Sequence, residues 1–261
     1  MVSFVAMLTD THTHLYSEEF DSDRDAVMRR AFEAGVHRFF IPAIDSAHTA
    51  AMYELEQDYP DNVHLMMGLH PTSVQPDTYL RELEMVEEAF QQRDFIAVGE
   101  IGIDLYWDRS TLEIQKEAFR RQIHLARDKG LPIVIHCRES FNEIFDVLET
   151  ENHDSLFGIF HCFTGTKEQA ERAIGFNMKL GIGGVVTFKN GKIDQFLHEI
   201  DTEHIVLETD SPYLSPVPYR GKRNESSYLS LIAEKVASVY GVSAEEIARI
   251  TTDNSKEIFG I

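Results

Sequence analysis

Apolar residues recur along this chain in eight short runs, separated by stretches in which apolar positions are three or four residues apart. The runs cover residues 4–12, 36–44, 63–69, 95–103, 131–136, 156–162, 178–187 and 204–210. Short apolar runs bounded by polar residues are typical of buried β-strands. The pattern therefore predicts eight strands.

The stretches between the runs have the spacing of amphipathic helices. They cover residues 22–34, 46–58, 77–92, 110–130, 139–150, 166–175 and 191–199. In 110–130, Ser110 and Glu113 predict a capping box and Gly130 ends the helix. The tail from Ser226 adds further helix, with a second capping box predicted at Ser243 and Glu246.

Alternating strands and helices favour parallel pairing through right-handed crossovers. Eight such units close most economically as an α/β fold of the (β/α)8 TIM barrel type, here with extra C-terminal helices. An open doubly wound sheet is the alternative. Because 261 residues lie within the range of one barrel, residues 1–261 are predicted to form a single domain.

Candidate metal ligands lie towards the ends of five predicted strands. They are His12, His14, Glu100, His136, His161 and Asp210. Alternate residues of a strand share a face, so His12 and His14 project together. The same alternation predicts that Val98, Val134, Ile159 and Val206, each two residues before Glu100, His136, His161 or Glu208, point into the barrel. Only a closed barrel brings all five strand ends around one centre, and this favours the barrel over the open sheet.

Each of these side chains, taken alone, has a structural alternative. Glu100 is then an ion-paired carboxylate, and His136 or His161 a histidine at a sheet end. Together, two carboxylates and four histidines at one barrel mouth would be costly to bury without cations. The set therefore predicts a metal centre.

The number of ligands predicts two divalent ions. One is held by His12, His14 and Asp210, and the other by His136 and His161, with Glu100 bridging the two. Mixed nitrogen and oxygen ligands suit zinc, magnesium, manganese or cobalt and do not distinguish among them.

Two ions about 3.5 to 4 Å apart can activate a bridging water for hydrolysis. Asp210 is predicted to relay the proton, with Glu208 and His70 in support as catalytic residues alongside Glu100. Asp10 is predicted to accept a hydrogen bond from a ligand imidazole or from a neighbouring polar side chain.

The formal net charge of -20 works against a protein that wraps a long nucleic-acid duplex, because that requires a positive surface. A nucleic-acid end or a short strand can still bind where cations and a few arginines meet. Arg220, Lys222 and Arg223 form the compact basic segment that is predicted to hold a phosphate, with Arg138 as a further candidate. The alternative for this segment is a solvated loop.

The aromatic residues of the predicted rim have two readings. The lone tryptophan, Trp107, together with Tyr106 and Tyr213, either stacks on a base or packs against the protein. Cys137 and Cys162 each follow a candidate ligand, so strand alternation predicts that both are buried, reduced thiols turned away from the centre.

The motifs resemble those of the TatD-type metal-dependent deoxyribonucleases of the amidohydrolase superfamily, along essentially the whole chain. They are DTHTHL at 10–15, GLHP at 68–71, VGEIGID at 98–104, IVIHCR at 133–138, HCFTG at 161–165, LETDSPYL at 207–214 and RGKRNE at 220–225. The resemblance implies a barrel with two divalent metals that hydrolyses DNA phosphodiesters, often from the 3′ end of single strands. DNA ends or short single strands are then the expected substrates.

Two other functions remain open at this point. A metal hydrolase of a small lactone or cyclic amide would use the same chemistry on a carbonyl carbon. A barrel that associates with nucleic acid without catalysis would hold its metals as structural ions. We expect a cytoplasmic protein, because neither a signal peptide nor a membrane span is evident, and a monomer is compatible with the sequence.

Overall fold

The computed structural model describes residues 7–261. Its strands are β1 (Leu8–Asp10), β2 (Val36–Ile41), β3 (Val63–Leu65), β4 (Val98–Asp104), β5 (Ile133–Arg138), β6 (Gly158–Phe160), β7 (Met178–Ile182) and β8 (Ile205–Leu207). Each predicted run overlaps one strand, and β4 and β5 extend beyond the ends of their runs. The first run begins at residue 4, outside the described residues, and β1 lies in its described part.

Helices follow the first six strands, and two more close the chain. They are α1 (Arg24–Glu33), α2 (Thr49–Asp58), α3 (Tyr79–Gln92), α4 (Leu112–Lys129), α5 (Phe141–Glu151), α6 (Lys167–Gly175), α7 (Leu229–Tyr240) and α8 (Ala244–Phe259). The predicted helix at 191–199 is wrong. Two short 3-10 turns, Ile193–Gln195 and Leu197–Glu199, occupy this stretch, because Lys192 is left-handed and Phe196 is not helical.

The predicted helix ends are partly correct. Gly130 ends α4 with a φ of 66°, as expected. The capping box at Ser110 is wrong, because α4 begins at Leu112 without a side-chain cap and the Ser110 hydroxyl donates to Asp108 instead. At α8, the Ser243 side chain accepts the backbone N–H of Glu246, which is one of the two hydrogen bonds of the predicted capping box.

All strand pairs are parallel, and the strands follow one another in chain order. Regular pairing joins β1 to β3 and, separately, β4 to β8. Backbone contacts bridge both seams: Met67 pairs with Val98 at one, and the Thr11 N–H donates to the Leu207 carbonyl at the other. The fold is the predicted α/β barrel.

An apolar cluster fills the barrel interior. It includes Val134, Ile159 and Val206, all predicted to point inward. The inward prediction for Val98 is wrong: the register of β4 shifts between Gly99 and Ile101, and Val98 packs in the outer core.

Helix α8 covers the barrel at the end where the strands begin. Thr252 donates to the carbonyl of Met7, which precedes β1, and Asn254 donates to that of Ile205, the first residue of β8. Phe259 stacks on Phe40 with ring centres 3.9 Å apart. The opposite end, where the strands finish, is therefore the one left for the candidate ligands.

No helix within residues 7–261 has the length and apolar character that crossing a membrane requires.

Candidate metal centre

The first donor set consists of His12, His14 and Asp210. The Nε2 atoms of the two histidines lie 3.3 Å apart. Asp210 Oδ1 lies 3.6 Å from His14 Nε2 and 3.9 Å from His12 Nε2. Regular strand structure ends at Asp10, yet both rings face the same point, and the Asp210 N–H donates to the His12 carbonyl at 2.9 Å. The three side chains thus converge from β1 and β8.

The second set gathers three histidines around Glu100 Oε1. This oxygen lies 2.7 Å from His136 Nδ1, 3.3 Å from His161 Nε2 and 3.3 Å from His70 Nε2. The position of His70 was predicted only as a supporting one. Its signal was the same as that of the others, a histidine just beyond a predicted strand, at the end of the third apolar run.

Glu100 divides its two oxygens between the sets. Whereas Oε1 faces the second set, Oε2 lies 3.2 Å from His12 Nε2 and 3.7 Å from His14 Nε2. Close pairing of β4 and β5 supports this position, because Gly102 has a φ of 140° and a Cβ there would overlap the His136 carbonyl. One buried carboxylate therefore contacts both sets.

Each histidine ring has an inner nitrogen, which faces the donor sets, and an outer nitrogen, which faces away from them. The hydrogen bond at the outer nitrogen indicates whether the inner nitrogen carries a lone pair. Carboxylates accept at two of these outer nitrogens: Asp104 lies 2.8 Å from His136 Nε2, and Glu208 lies 3.0 Å from His161 Nδ1. The inner Nδ1 of His136 and Nε2 of His161 are then unprotonated in the neutral rings.

His14 and His70 differ from each other in this respect. The Tyr16 hydroxyl donates to the Pro42 carbonyl, so it accepts from His14 Nδ1 at 3.0 Å and leaves the lone pair on Nε2. At His70 the backbone N–H of Thr72 donates to Nδ1, which assigns the proton to Nε2. His14 thus suits a cation, whereas His70 presents an N–H donor to the centre.

Burial and the facing charges set the protonation of the centre. Burial raises the pKa of Glu100, but the histidines around it, His70 and His161 foremost, hold that pKa well below its usual range. Burial also raises the pKa of Asp210, but its hydrogen bond to His14 and the nearby charges of the facing histidines, His161 and His12 among them, together lower it. Burial lowers the pKa of His12 and of His70. The carboxylates are therefore anionic at neutral pH, and these two imidazoles are neutral.

His161 shows how strongly this place favours positive charge. Burial lowers its pKa, yet the carboxylates of Glu208 and Glu100 outweigh burial and raise it to about 10. A cation bound to His161 would take the place of that proton.

The donor sets fit divalent cations. Three overlapping groups each bring imidazole nitrogens and carboxylate oxygens within 4.8 Å of one another: His12 with His14 and Asp210, His70 with Glu100 and His136, and His12 with Glu100 and His161. These are the ligands that zinc and similar ions take. A further group, Asp201, Glu203 and His204, lies away from the barrel mouth and is largely exposed.

Glu208 and Asp10 lie deeper than the ligands. Glu208 is fully buried behind His161. Its Oε1, the oxygen that lies 3.0 Å from His161 Nδ1, also accepts the Cys162 N–H at 2.6 Å. Asp10 accepts from the Thr209 N–H at 2.9 Å and from its hydroxyl at 2.6 Å, so it bonds a neighbouring polar side chain. Burial raises the pKa of Asp10 to about 7.

A cleft of about 710 Å³ opens over the donor sets. Its walls include Trp107, Arg138, Val185, Tyr213 and Leu214. Arg138 contacts the ring of Tyr106, with its guanidinium carbon 3.9 Å from the ring centre. Among residues 7–261, no carboxylate forms an ion pair with Arg138. Its charge therefore faces the cleft without a neutralising partner.

The basic segment predicted to bind phosphate lies elsewhere. Arg223 donates to both carboxylate oxygens of Asp23 at 2.8 Å, and the guanidinium of Arg220 lies 3.6 Å from the centre of the Phe188 ring. Neither residue, nor Lys222, lines the cleft. Arg223 instead ties the strand 8 loop to the residue before α1, a partner too distant in sequence to be predicted.

Both cysteines are free, as predicted. Cys137 packs against the outer core, as predicted, whereas the predicted orientation of Cys162 is wrong. Each is half-buried and lines the cleft. Cys162 follows the end of β6 and has a φ of 44°, so strand alternation no longer applies to it. Burial raises the pKa of Cys137 to about 12 and that of Cys162 well above its usual value. Both remain protonated thiols.

Comparison with known proteins shows which family has this sequence. Residues 9–260 match the sequence model of the family described as "TatD related DNase". The chain belongs to this TatD family. It is 40% identical over 256 residues to the "Uncharacterized metal-dependent hydrolase YabD" of Bacillus subtilis, covering 98% of this chain and 100% of that protein.

Two further TatD relatives extend the comparison. The "3'-5' ssDNA/RNA exonuclease TatD" of Escherichia fergusonii is 31% identical, over 97% of this chain and 98% of the relative. The crystal structure of YjjV, a TatD homologue from Escherichia coli, superimposes with a TM-score of 0.91 at 27% identity, covering 98% and 99% of the two chains. Family and donor sets together identify a metal-dependent hydrolase with a TIM-barrel fold.

Proposed function

We propose that this protein uses two divalent ions to hydrolyse phosphodiester bonds at the 3′ end of single-stranded DNA. The observation that carries the proposal is the division of Glu100 between two donor sets, with Oε2 3.2 Å from His12 Nε2 and Oε1 2.7 Å from His136 Nδ1. A carboxylate with a separate nitrogen ligand on each oxygen suits a bridge between two cations. His12, His14 and Asp210 would hold one ion, and His136 and His161 the other.

Divalent ions held by these residues would supply Lewis-acid polarisation of the phosphodiester and a water of lowered pKa. The oxygen of that water would attack phosphorus while the bond from phosphorus to the leaving sugar oxygen breaks. Asp210 faces the cleft as an anionic carboxylate and accepts the proton of that water. The Nε2–H of His70 donates a hydrogen bond to a phosphate oxygen, because the Thr72 N–H donates to Nδ1 and leaves the proton on Nε2. Glu208 is fully buried and acts by holding the His161 ring in place.

The substrate is inferred from three features. One relative that covers nearly the whole chain is named a 3′-5′ exonuclease of single-stranded DNA and RNA. Arg138 supplies a positive charge at the cleft wall without a carboxylate partner among the described residues. The net charge of -20 disfavours a long duplex. A short single-stranded end meets all three conditions.

Substitution at the bridge and at the proton acceptor tests this function. Glu100→Ala and Asp210→Asn are each assayed with saturating manganese or zinc on single-stranded DNA labelled at its 3′ or its 5′ end. Each variant is expected to lose at least about 100-fold in kcat, as when a preorganised catalytic group is removed. Asp201→Asn is the matched control, because Asp201 is an exposed carboxylate in the acidic group outside the cleft.

The controls separate this function from its alternatives. Dialysis against EDTA should abolish hydrolysis, and added metal should restore it. The same preparations are offered an RNA strand and a lactone. Full metal-dependent activity in both variants would reject the site, whereas turnover of the lactone without any hydrolysis of DNA would reject the substrate.

A further inference from the structure

Trp107 is the only tryptophan of the chain, and it stands at the wall of the catalytic cleft with 70% of its surface exposed. A tryptophan that only packs against the protein buries most of its ring. Trp107 and the adjoining Tyr106, which is 51% exposed, form an exposed aromatic patch beside the cleft, and such patches mark contact surfaces. The packing alternative for Trp107 therefore does not hold.

The turn that carries Trp107 is fixed to the metal centre. Asp104 Oδ1 accepts the backbone N–H groups of Tyr106 at 2.9 Å and of Trp107 at 3.3 Å. The other oxygen of the same carboxylate lies 2.8 Å from His136 Nε2. One side chain thus sets the distance between a candidate metal ligand and the aromatic turn.

Arg138 supports the turn from one side. Its guanidinium covers Tyr106, and the Tyr106 ring meets Trp107 edge to face, with centres 4.9 Å apart. The guanidinium also lies over the Trp107 ring, with its carbon 5.7 Å from the ring centre, so these contacts orient the indole and still leave 70% of the residue exposed. Rigid aromatic surfaces bind flat ligands at a low entropy cost.

A second apolar surface lies beside the other donor set. Tyr213 is 48% exposed, and its ring centre lies 5.9 Å from that of His14. Trp107 adjoins the set containing His136, whereas Tyr213 adjoins the set containing His14. Aromatic rings therefore border the cleft on the sides of both metal sites.

From this arrangement we propose that Trp107 is a stacking surface for an unpaired nucleobase next to the scissile phosphate. The inference rests on the proposed function and adds a base-binding subsite to it. Stacking on an indole does not read hydrogen-bond edges, so the subsite accepts any base and recognises the absence of a stacked neighbour. A base inside a duplex has both faces covered, and single-stranded ends are preferred for that reason.

The single tryptophan allows a direct measurement. Metal-loaded protein is titrated with a phosphorothioate-linked dinucleotide and with the same backbone lacking both bases, while intrinsic fluorescence is followed. The dinucleotide is expected to quench the tryptophan, and the base-free backbone is not. Equal effects of the two ligands on the fluorescence would overturn the proposal.

Kinetics supply the second measurement. Trp107→Ala is expected to raise KM on ordinary single strands by about 5- to 150-fold with little change in kcat, the range expected for the loss of one stacked base. Trp107→Phe should restore most of the affinity. On strands whose two 3′-terminal nucleotides are abasic, wild type and Trp107→Ala should have the same KM.

Leu80→Ala is the matched control, because Leu80 is 49% exposed on α3 and does not line the cleft. Leu80→Ala should leave KM, kcat and the thermal midpoint unchanged. Trp107→Ala should also leave the thermal midpoint unchanged, because Trp107 is exposed. If the wild-type protein had the same KM on abasic strands as on ordinary strands, the stacking subsite would be overturned. The proposed nuclease function would be unaffected by that result. Absence of hydrolysis on all strands would instead count against the proposed function.

Discussion

Gly181 in β7 provides the space that Glu208 needs to reach His161. A Cβ at this position would overlap Glu208 Oε2, lie 2.8 Å from its Cδ and lie 3.2 Å from His161 Cα. Gly181→Ala must therefore displace the carboxylate or the strand. Within residues 7–261, Glu208 Oε2 has no hydrogen-bond partner, so the groups that hold the carboxylate, His161 Nδ1 and the Cys162 N–H, both act on Oε1.

The expected effects are of two kinds. Inserting a methyl group into this packed region should cost about 1 to 3 kcal/mol of unfolding free energy. Moving Glu208 away from His161 should weaken metal binding by about 10- to 100-fold, as is usual when the partner of a ligating histidine is lost. Urea unfolding of the metal-free protein measures the first effect, and zinc competition with a chromogenic chelator measures the second.

Gly175→Ala is the matched control. Gly175 is the last residue of α6, and a Cβ there would meet no atom within 4 Å. This variant should keep the metal affinity of the wild type and be as stable or slightly more stable.

A double-mutant cycle identifies the clash. In a Glu208→Ala background the carboxylate is gone, so Gly181→Ala should then cost less than about 0.5 kcal/mol. A wild-type unfolding curve together with wild-type zinc affinity for Gly181→Ala would refute the reasoning. An equal cost in both backgrounds would show that Glu208 is not the group displaced.

Three further predictions concern regions outside the donor sets. Phe259→Ala should lower the urea midpoint through a loss of about 3 to 5 kcal/mol, while zinc affinity stays constant because the ring lies at the far end of the barrel. Burial raises the pKa of Glu225, but its contacts with Arg30 and Ser227 bring that pKa below its ordinary value. The stability that the ion pair of Arg30 and Glu225 adds is therefore present above the unfolded pKa of about 4.5 and is lost as the pH falls through the lower folded value. Urea unfolding across pH should accordingly show Arg30→Met and wild type converging in acid. Arg223→Met should lower stability but leave KM for single strands unchanged, since Asp23 already occupies its guanidinium.

Much of the fold was predictable from local sequence. Strands and helices depend on the spacing of apolar residues within a few positions, and each of the eight apolar runs overlaps a strand. The helix predicted at 191–199 failed because the left-handed Lys192 interrupts a stretch whose spacing alone looks helical. Val98 was placed on the wrong face because a register shift within β4 reverses alternation, and spacing carries no sign of that shift.

The sequence by itself also determined which side chains meet at the barrel mouth, because parallel strands of a barrel all finish at the same end. What only the tertiary structure decided is the partner of each atom. The two oxygens of Glu100 face different histidines. The Thr72 N–H donates to Nδ1 of His70, which leaves the proton on Nε2. Arg223 forms an ion pair with Asp23 and does not line the cleft. Residue type and spacing are local properties, whereas these choices depend on distances between residues brought together from across the chain.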